Sequence, residues 1–90
     1  MKRDQTGYNG WASYQTWLMG LWLSNDVGTY EYIQELVKTA KNSYSAAEAI
    51  KAYIEELNPV GDEASVFADL MSGALREVDW VEVAEYFLQD

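Results

Sequence analysis

The side chains of this sequence with the most capacity for chemistry are carboxylates, and they come in close pairs: Glu55 with Glu56, Asp62 with Glu63, and Glu82 with Glu85. Two acids side by side can divide the work of general acid and general base, or supply oxygen ligands to a hard cation. The first role needs a partly buried cleft that shifts a pKa, and a calcium loop needs alternating acids with a glycine at a set position. Neither pattern is present. The chain has no cysteine and no histidine, which removes thiolate chemistry, disulfides, the commonest general base and the commonest transition-metal ligand. The sequence therefore predicts a protein that is not an enzyme, with no cofactor and no metal. Four tryptophans could stack on bases, but such platforms lie in basic grooves and this chain is acidic, so core packing is their expected role.

The net charge of −9 is unevenly placed. Through Ile54 five acids and five bases cancel; from Glu55 onward ten acids meet one base, Arg76, so 1 − 10 = −9 resides beyond Ile54. A field of that sign repels nucleic acid and attracts basic surfaces, although acids also keep a small domain soluble. Helix capping accounts for Asp62, Asp79 and Glu82. It does not account for Glu55, Glu56, Glu85 and Asp90, which fall near the ends of predicted helices, where the backbone dipole disfavours negative charge by about 0.3–1 kcal/mol each. Acids spaced i, i+3 and i+4 recur every ~5–6 Å along a helix and can present a row comparable with backbone phosphates. The expected partner is thus a basic protein surface, met by Glu55, Glu56, Asp69, Glu77, Glu82 and Glu85, with no direct contact to nucleic acid or membrane.

Ninety residues make one domain, 1–90, and the periodicities predict an all-α, compact single-domain bundle of about five short helices. Residues 1–10 read as a flexible or loosely docked arm ending in the turn pair Asn9-Gly10, pinned by Tyr8 and Trp11. The stretch Asn9 to Asp26 carries three of the four tryptophans, and the first helix, capped by Ser13 and running to about Ser24, places Tyr14, Trp17, Leu18, Leu21 and Trp22 on one face. That face, widened by Met19 and Leu23, is expected in the core, with Gly20 admitting another helix at close range. A second helix runs from Val27 or Thr29 to Lys41 with Tyr30, Ile33, Leu36, Val37 and Ala40 inward. Ser45 and Glu48 form a capping box for a third, Ala46 to about Leu57, buried through Ala46, Ala49, Ile50, Tyr53, Ile54 and Leu57.

Asn58-Pro59 and Gly61 then force a connection. The fourth helix starts near Asp62 or Glu63 and reaches about Leu75, with Phe67, Leu70, Met71, Ala74 and Leu75 along one side. Asp79 and Glu82 repeat the capping-box spacing for a fifth, ending near Leu88, with Trp80, Val83, Ala84, Phe87 and Leu88 apolar. The N-terminal MKRDQTGYNG has no apolar stretch behind its basic residues, and the run around Trp17 is too short to span a bilayer, so a cytoplasmic location is expected.

Asn9-Gly10-Trp11, Tyr14, Thr16-Trp17, Leu21-Trp22 and Asn25-Asp26 together resemble the N-G-W-x-x-Y-x-T-W-x-x-x-L-W-x-x-N-D signature of a family of small proteins carried by phages, plasmids and other mobile elements. Asp79-Trp80-Val81-Glu82-Val83-Ala84 is similar to the D-W-x-E-[IV]-A ending of the same proteins. The resemblance implies a mobile-element setting and transfers no catalytic residue. Small acidic proteins from that setting are often inhibitors of host defence, so an anti-CRISPR or anti-restriction protein, acting as a DNA mimic in the host cytoplasm, is the leading expectation. An interaction module or accessory regulator whose exposed aromatics dock a host protein is the alternative. A continuous negative surface would favour the first, an exposed aromatic patch the second, and a carboxylate-lined cleft a small enzyme or metal-binding domain.

Overall fold

The computed structural model describes residues 9–89, so the expectations for residues 1–8 and for Asp90 lie outside the described residues. Five helices follow one another: α1 (Tyr14–Asn25), α2 (Val27–Thr39), α3 (Ser43–Leu57), α4 (Val66–Arg76) and α5 (Trp80–Leu88). No strand runs among the described residues, and the chain is all-α.

Each helix starts on a side chain that accepts a backbone N–H left over from the first turn. Ser13 caps α1 through Thr16 and Asp79 caps α5 through Glu82, as the sequence predicts, and Asp26 caps α2 through Thr29. Two starts differ. Asn42 Oδ1 takes the Ser45 N–H at 2.8 Å, so α3 begins about a turn before the Ser45–Glu48 spacing suggests. Ser65 caps α4 through Ala68, which leaves Asp62 and Glu63 in the connecting turns and gives Asp62 no capping role. A short Asn or Ser with extended backbone competes successfully with a downstream capping box wherever it precedes the first helical residue. At Asp26, the backbone N–H and then the hydroxyl of Thr29 donate to one carboxylate oxygen, at 2.9 and 3.0 Å, and hold the acid below its ordinary pKa.

The core is built by α2, α3 and α5, with α3 against α5 the most extensive pairing. Ile33 and Val37 from α2, Ala46, Ala47 and Ile50 from α3, and Val83, Ala84 and Phe87 from α5 are buried there. Each large apolar side chain so buried contributes about 1.5–3 kcal/mol. The inward stripes of α2, α3 and α5 are therefore those the periodicity indicates, apart from Leu57 and Leu88, which are exposed at helix ends, and Ala47, an extra buried position. Gln34 ties α2 to the end of α5 by donating to the Phe87 carbonyl at 3.3 Å.

The first helix departs from expectation. Leu23 is buried and Met19 packs against the core as expected, but the rest of the buried stripe is Thr16 and Gly20, at i and i+4, while Tyr14, Leu21 and Trp22 are exposed. Gly20 is close-packed for a reason other than helix approach: a Cβ there would stand 3.1 Å from Cη2 of Trp11. Asn9 and Gly10, at φ 50° and 88°, turn the chain so that Trp11 folds back onto α1, where it also meets Tyr86 with ring centroids 5.4 Å apart.

A set of polar contacts then locks the two capping motifs together. Thr16 Oγ1 accepts the Asp79 N–H at 2.8 Å, Ser13 Oγ donates to the Glu77 carbonyl at 2.9 Å, and the two hydroxyls are 2.8 Å apart. Glu82, whose side chain in a capping box would return to its own cap, instead accepts the Ala12 N–H at 3.0 Å. Among the described residues no buried side-chain nitrogen or oxygen lacks a partner.

Candidate protein-docking face

The most distinctive surface is made by exposed apolar residues of α1 and α4, which border one groove. No residue of α1 is charged, so its face away from Thr16, Gly20 and Leu23 is a neutral one of Tyr14, Trp17, Leu18, Leu21 and Trp22. The amphipathic pattern of α4 would ordinarily mark a core helix. Instead no residue of α4 is fully buried, and Val66, Phe67 and Leu70 stand in water. Val78, in the link to α5, fills the space beneath.

Between the two helices lies an apolar groove of about 240 Å³. Leu18, Met19 and Trp22 form one wall and Met71, Ala74 and Leu75 the other. Trp22 is 68% exposed, Phe67 68% and Leu70 67%. An aromatic side chain presents roughly 150–250 Å², so the two aromatics alone leave on the order of 250 Å² of apolar surface in water. Leu70, Val66, Tyr14 and Leu21 are further exposed apolar side chains of the same two helices.

The acids singled out in the sequence differ in burial. Glu82 is 6% exposed and spends its carboxylate on Ala12, so it is a structural residue and unavailable to a partner. Glu55, Glu56, Asp69, Glu77 and Glu85 are exposed. Glu55 shares a cleft of about 480 Å³ with Asp62, but Lys51 and Arg76 line it too, with Trp80 beside them, so its walls carry both signs. Glu55 and Glu56 together border a second, shallow depression next to Tyr32 and Tyr53, whose rings are 4.8 Å apart. Glu85 follows Glu82 on α5, beside the Trp11–Tyr86 contact.

Of the large apolar groove residues, Trp22 and Met71 are the ones that sequence reasoning placed inward and that are exposed. One signal could have found Trp22: α1 is apolar on nearly its whole circumference, more than a 90-residue domain can cover on all sides. Among the described residues, no cluster of His, Cys, Asp or Glu is placed to hold a metal ion, and no helix is long and apolar enough to cross a membrane.

Fold and surface together define a small five-helix domain with a mixed-charge cleft on one side and a neutral, apolar face on another. Residues 4–86 match the model of DUF7249, a family of unknown function, and the chain belongs to that family. No curated protein and no solved structure matches it.

Proposed function

We propose that this DUF7249 protein is a binding protein, without chemistry of its own, that docks on another protein through the face formed by α1 and α4. One observation carries the reading: Trp22 is two-thirds exposed in the wall of an apolar groove, and Phe67 and Leu70 are as exposed elsewhere on α4, a costly arrangement for a surface that meets only water. The partner is a nucleic-acid-binding defence effector in the host cytoplasm, in keeping with the resemblance of the Asn9 to Asp26 stretch to mobile-element proteins. Docking there inhibits the effector. Buried apolar anchors supply affinity, and acids outside the groove add attraction to a basic surface and speed the encounter.

A second reading, inhibition by an acidic surface that mimics nucleic acid, is favoured by the exposure of Glu55, Glu56, Asp69, Glu77 and Glu85. Paired capture from host lysate separates the two. A partner held by the wild type and by Glu55→Lys/Glu56→Lys/Glu85→Lys, but lost by Trp22→Ser/Met71→Ser, supports docking through the groove. The reverse pattern would transfer the function to the acids.

A further inference from the structure

We infer that the shallow depression between α2 and α3 receives an arginine side chain of a partner protein, held by two tyrosine rings and the carboxylates at its rim. The site lies apart from the groove beside α1, and its test does not depend on docking there. Tyr32 of α2 and Tyr53 of α3 both line it, with ring centroids 4.8 Å apart and planes tilted by 47°. Tyr53 packs against the core, while Tyr32 is 47% exposed and leaves much of its ring in water. Along α3, Ala49, Ala52, Tyr53 and Glu56 fall at i, i+3, i+4 and i+7 and so share one side of the helix. That side has an apolar end and an acidic end. At the first, two alanines leave nothing beyond Cβ. At the second, roughly 10 Å on at ~1.5 Å per residue, stand Glu56 and its neighbour Glu55.

Charge decides what fits. Among the described residues no lysine or arginine lines the depression. Glu55 also borders the cleft that holds Lys51, one turn before it on α3, whereas Glu56 does not border that cleft. Both acids lie in the last turn of α3, which has no basic residue and where the helix carbonyls add partial negative charge. The local field therefore favours a cation. No cluster of acids among the described residues is placed to hold a metal ion, so the cation that fits is an organic one. An arginine side chain matches each part. Its alkyl stem covers Ala49, Ala52 and Leu36, its guanidinium lies against a tyrosine ring, and its planar fork pairs with the carboxylates. Lysine has the stem, but as a compact and strongly hydrated point charge it neither stacks nor forks.

The test titrates the full chain with Nα-acetyl-arginine amide and, at matched ionic strength, with the corresponding lysine and citrulline amides. Citrulline keeps the shape of arginine without its charge. Binding is mapped by NMR from the ring signals of Tyr32 and Tyr53 and the methyls of Ala49 and Ala52. Arginine is expected to shift these signals saturably and ahead of the rest of the protein, and to bind about 2–5-fold more tightly than lysine. Citrulline should leave them in place. Tyr32→Leu, at an exposed position, should weaken arginine binding by about 2–5-fold at unchanged melting temperature, and Tyr32→Phe, which keeps the ring, should bind as wild type does. Glu55→Gln/Glu56→Gln should weaken it by about 3–10-fold and flatten its salt dependence.

Shifts of equal size around Asp69 and Glu85 would be adsorption to net charge and would overturn the depression as the site. Citrulline binding as well as arginine would overturn recognition of a cation. Lysine equal to arginine, with Tyr32→Leu without effect, would reduce the depression to its acids and overturn the inference. Should Tyr32→Leu melt early, the citrulline comparison and the glutamine variant still decide. Each of these results leaves the dependence of the lysate partner on Trp22 and Met71 to be judged separately, so docking through α1 and α4 stands or falls on its own.

Discussion

Replacing Thr16 by valine tests whether the contact between the first and last capping motifs stabilises the domain. Thr16 is fully buried, and its hydroxyl is the acceptor for the Asp79 N–H at 2.8 Å. Valine keeps the shape and removes the acceptor. A part-buried backbone donor left without a partner costs about 1–3 kcal/mol, and the added methyl returns less than 1 kcal/mol because the space already holds an atom. The expected net loss is about 1–2 kcal/mol. At ~4–8 °C per kcal/mol for a domain this small, thermal unfolding followed by circular dichroism should show a melting temperature lower by roughly 5–15 °C. Thr16→Ser is the control: it keeps the oxygen and deletes a buried methyl, for about 1 kcal/mol. A valine variant as stable as wild type, beside a weakened serine variant, would show that the methyl matters and the hydroxyl does not, and would refute the contact as a source of stability.

Gly20→Ala gains about 1 kcal/mol of helix propensity but sets a Cβ 3.1 Å from Trp11, which Tyr86 and the Ala12–Glu82 hydrogen bond hold in place. Overpacking at ~1–3 kcal/mol should win, so the melting temperature should fall; a rise would mean that the Trp11 segment yields. Trp22→Ala should change stability by no more than about 0.5–1 kcal/mol, far below the ~3–5 kcal/mol of a core tryptophan, and a larger loss in chemical denaturation would return this residue to the core. Asp26 has a folded-state pKa below its unfolded value, so its stabilisation is complete above the unfolded value and is lost as pH falls through the folded one. Melting below about pH 4 should therefore drop less in Asp26→Asn, which keeps a capping oxygen, than in wild type; equal acid sensitivity would count against that cap as a titrating contributor.

Helix number, order and the inward stripes of α2, α3 and α5 could be read from the sequence because local signals and the core agree there. Ile33 with Val37, Ala46 with Ile50, and Val83 with Phe87 all fall on the buried side of amphipathic helices. The exposed side of α1 could not be read, because a helix apolar on most sides gives no way of ranking them. Trp17 and Trp22 are larger than Thr16 and Gly20 and so claimed the core, yet the inward stripe is decided by what lies opposite: the folded-back Trp11 needs the space over Gly20, and Asp79 needs the Thr16 hydroxyl. Glu82 was misplaced for a related reason. A capping box is a local pattern, and its acid found a donor 70 residues away in the sequence, at Ala12. For α4 the pattern was right about amphipathicity and silent on which body covers the apolar side.

The hydrogen bonds from Ser13, Thr16 and Ala12 to Glu77, Asp79 and Glu82 also bear on when this domain can form. Their sequence separations run from 61 to 70 residues, close to the whole length of the described chain. During synthesis the first helix leaves the ribosome long before its tertiary partners exist, and short helices are marginal on their own. Closing so long a loop is an entropic cost met only when residue 82 has emerged. Until then the tryptophan-rich opening stretch, including the side that is later turned inward, is exposed to whatever chaperone or membrane is near. Ribosome-bound chains stopped before Asp79 should thus be cut readily by protease within α1, and full chains carrying a C-terminal extension long enough to bring Glu82 out of the ribosome should resist.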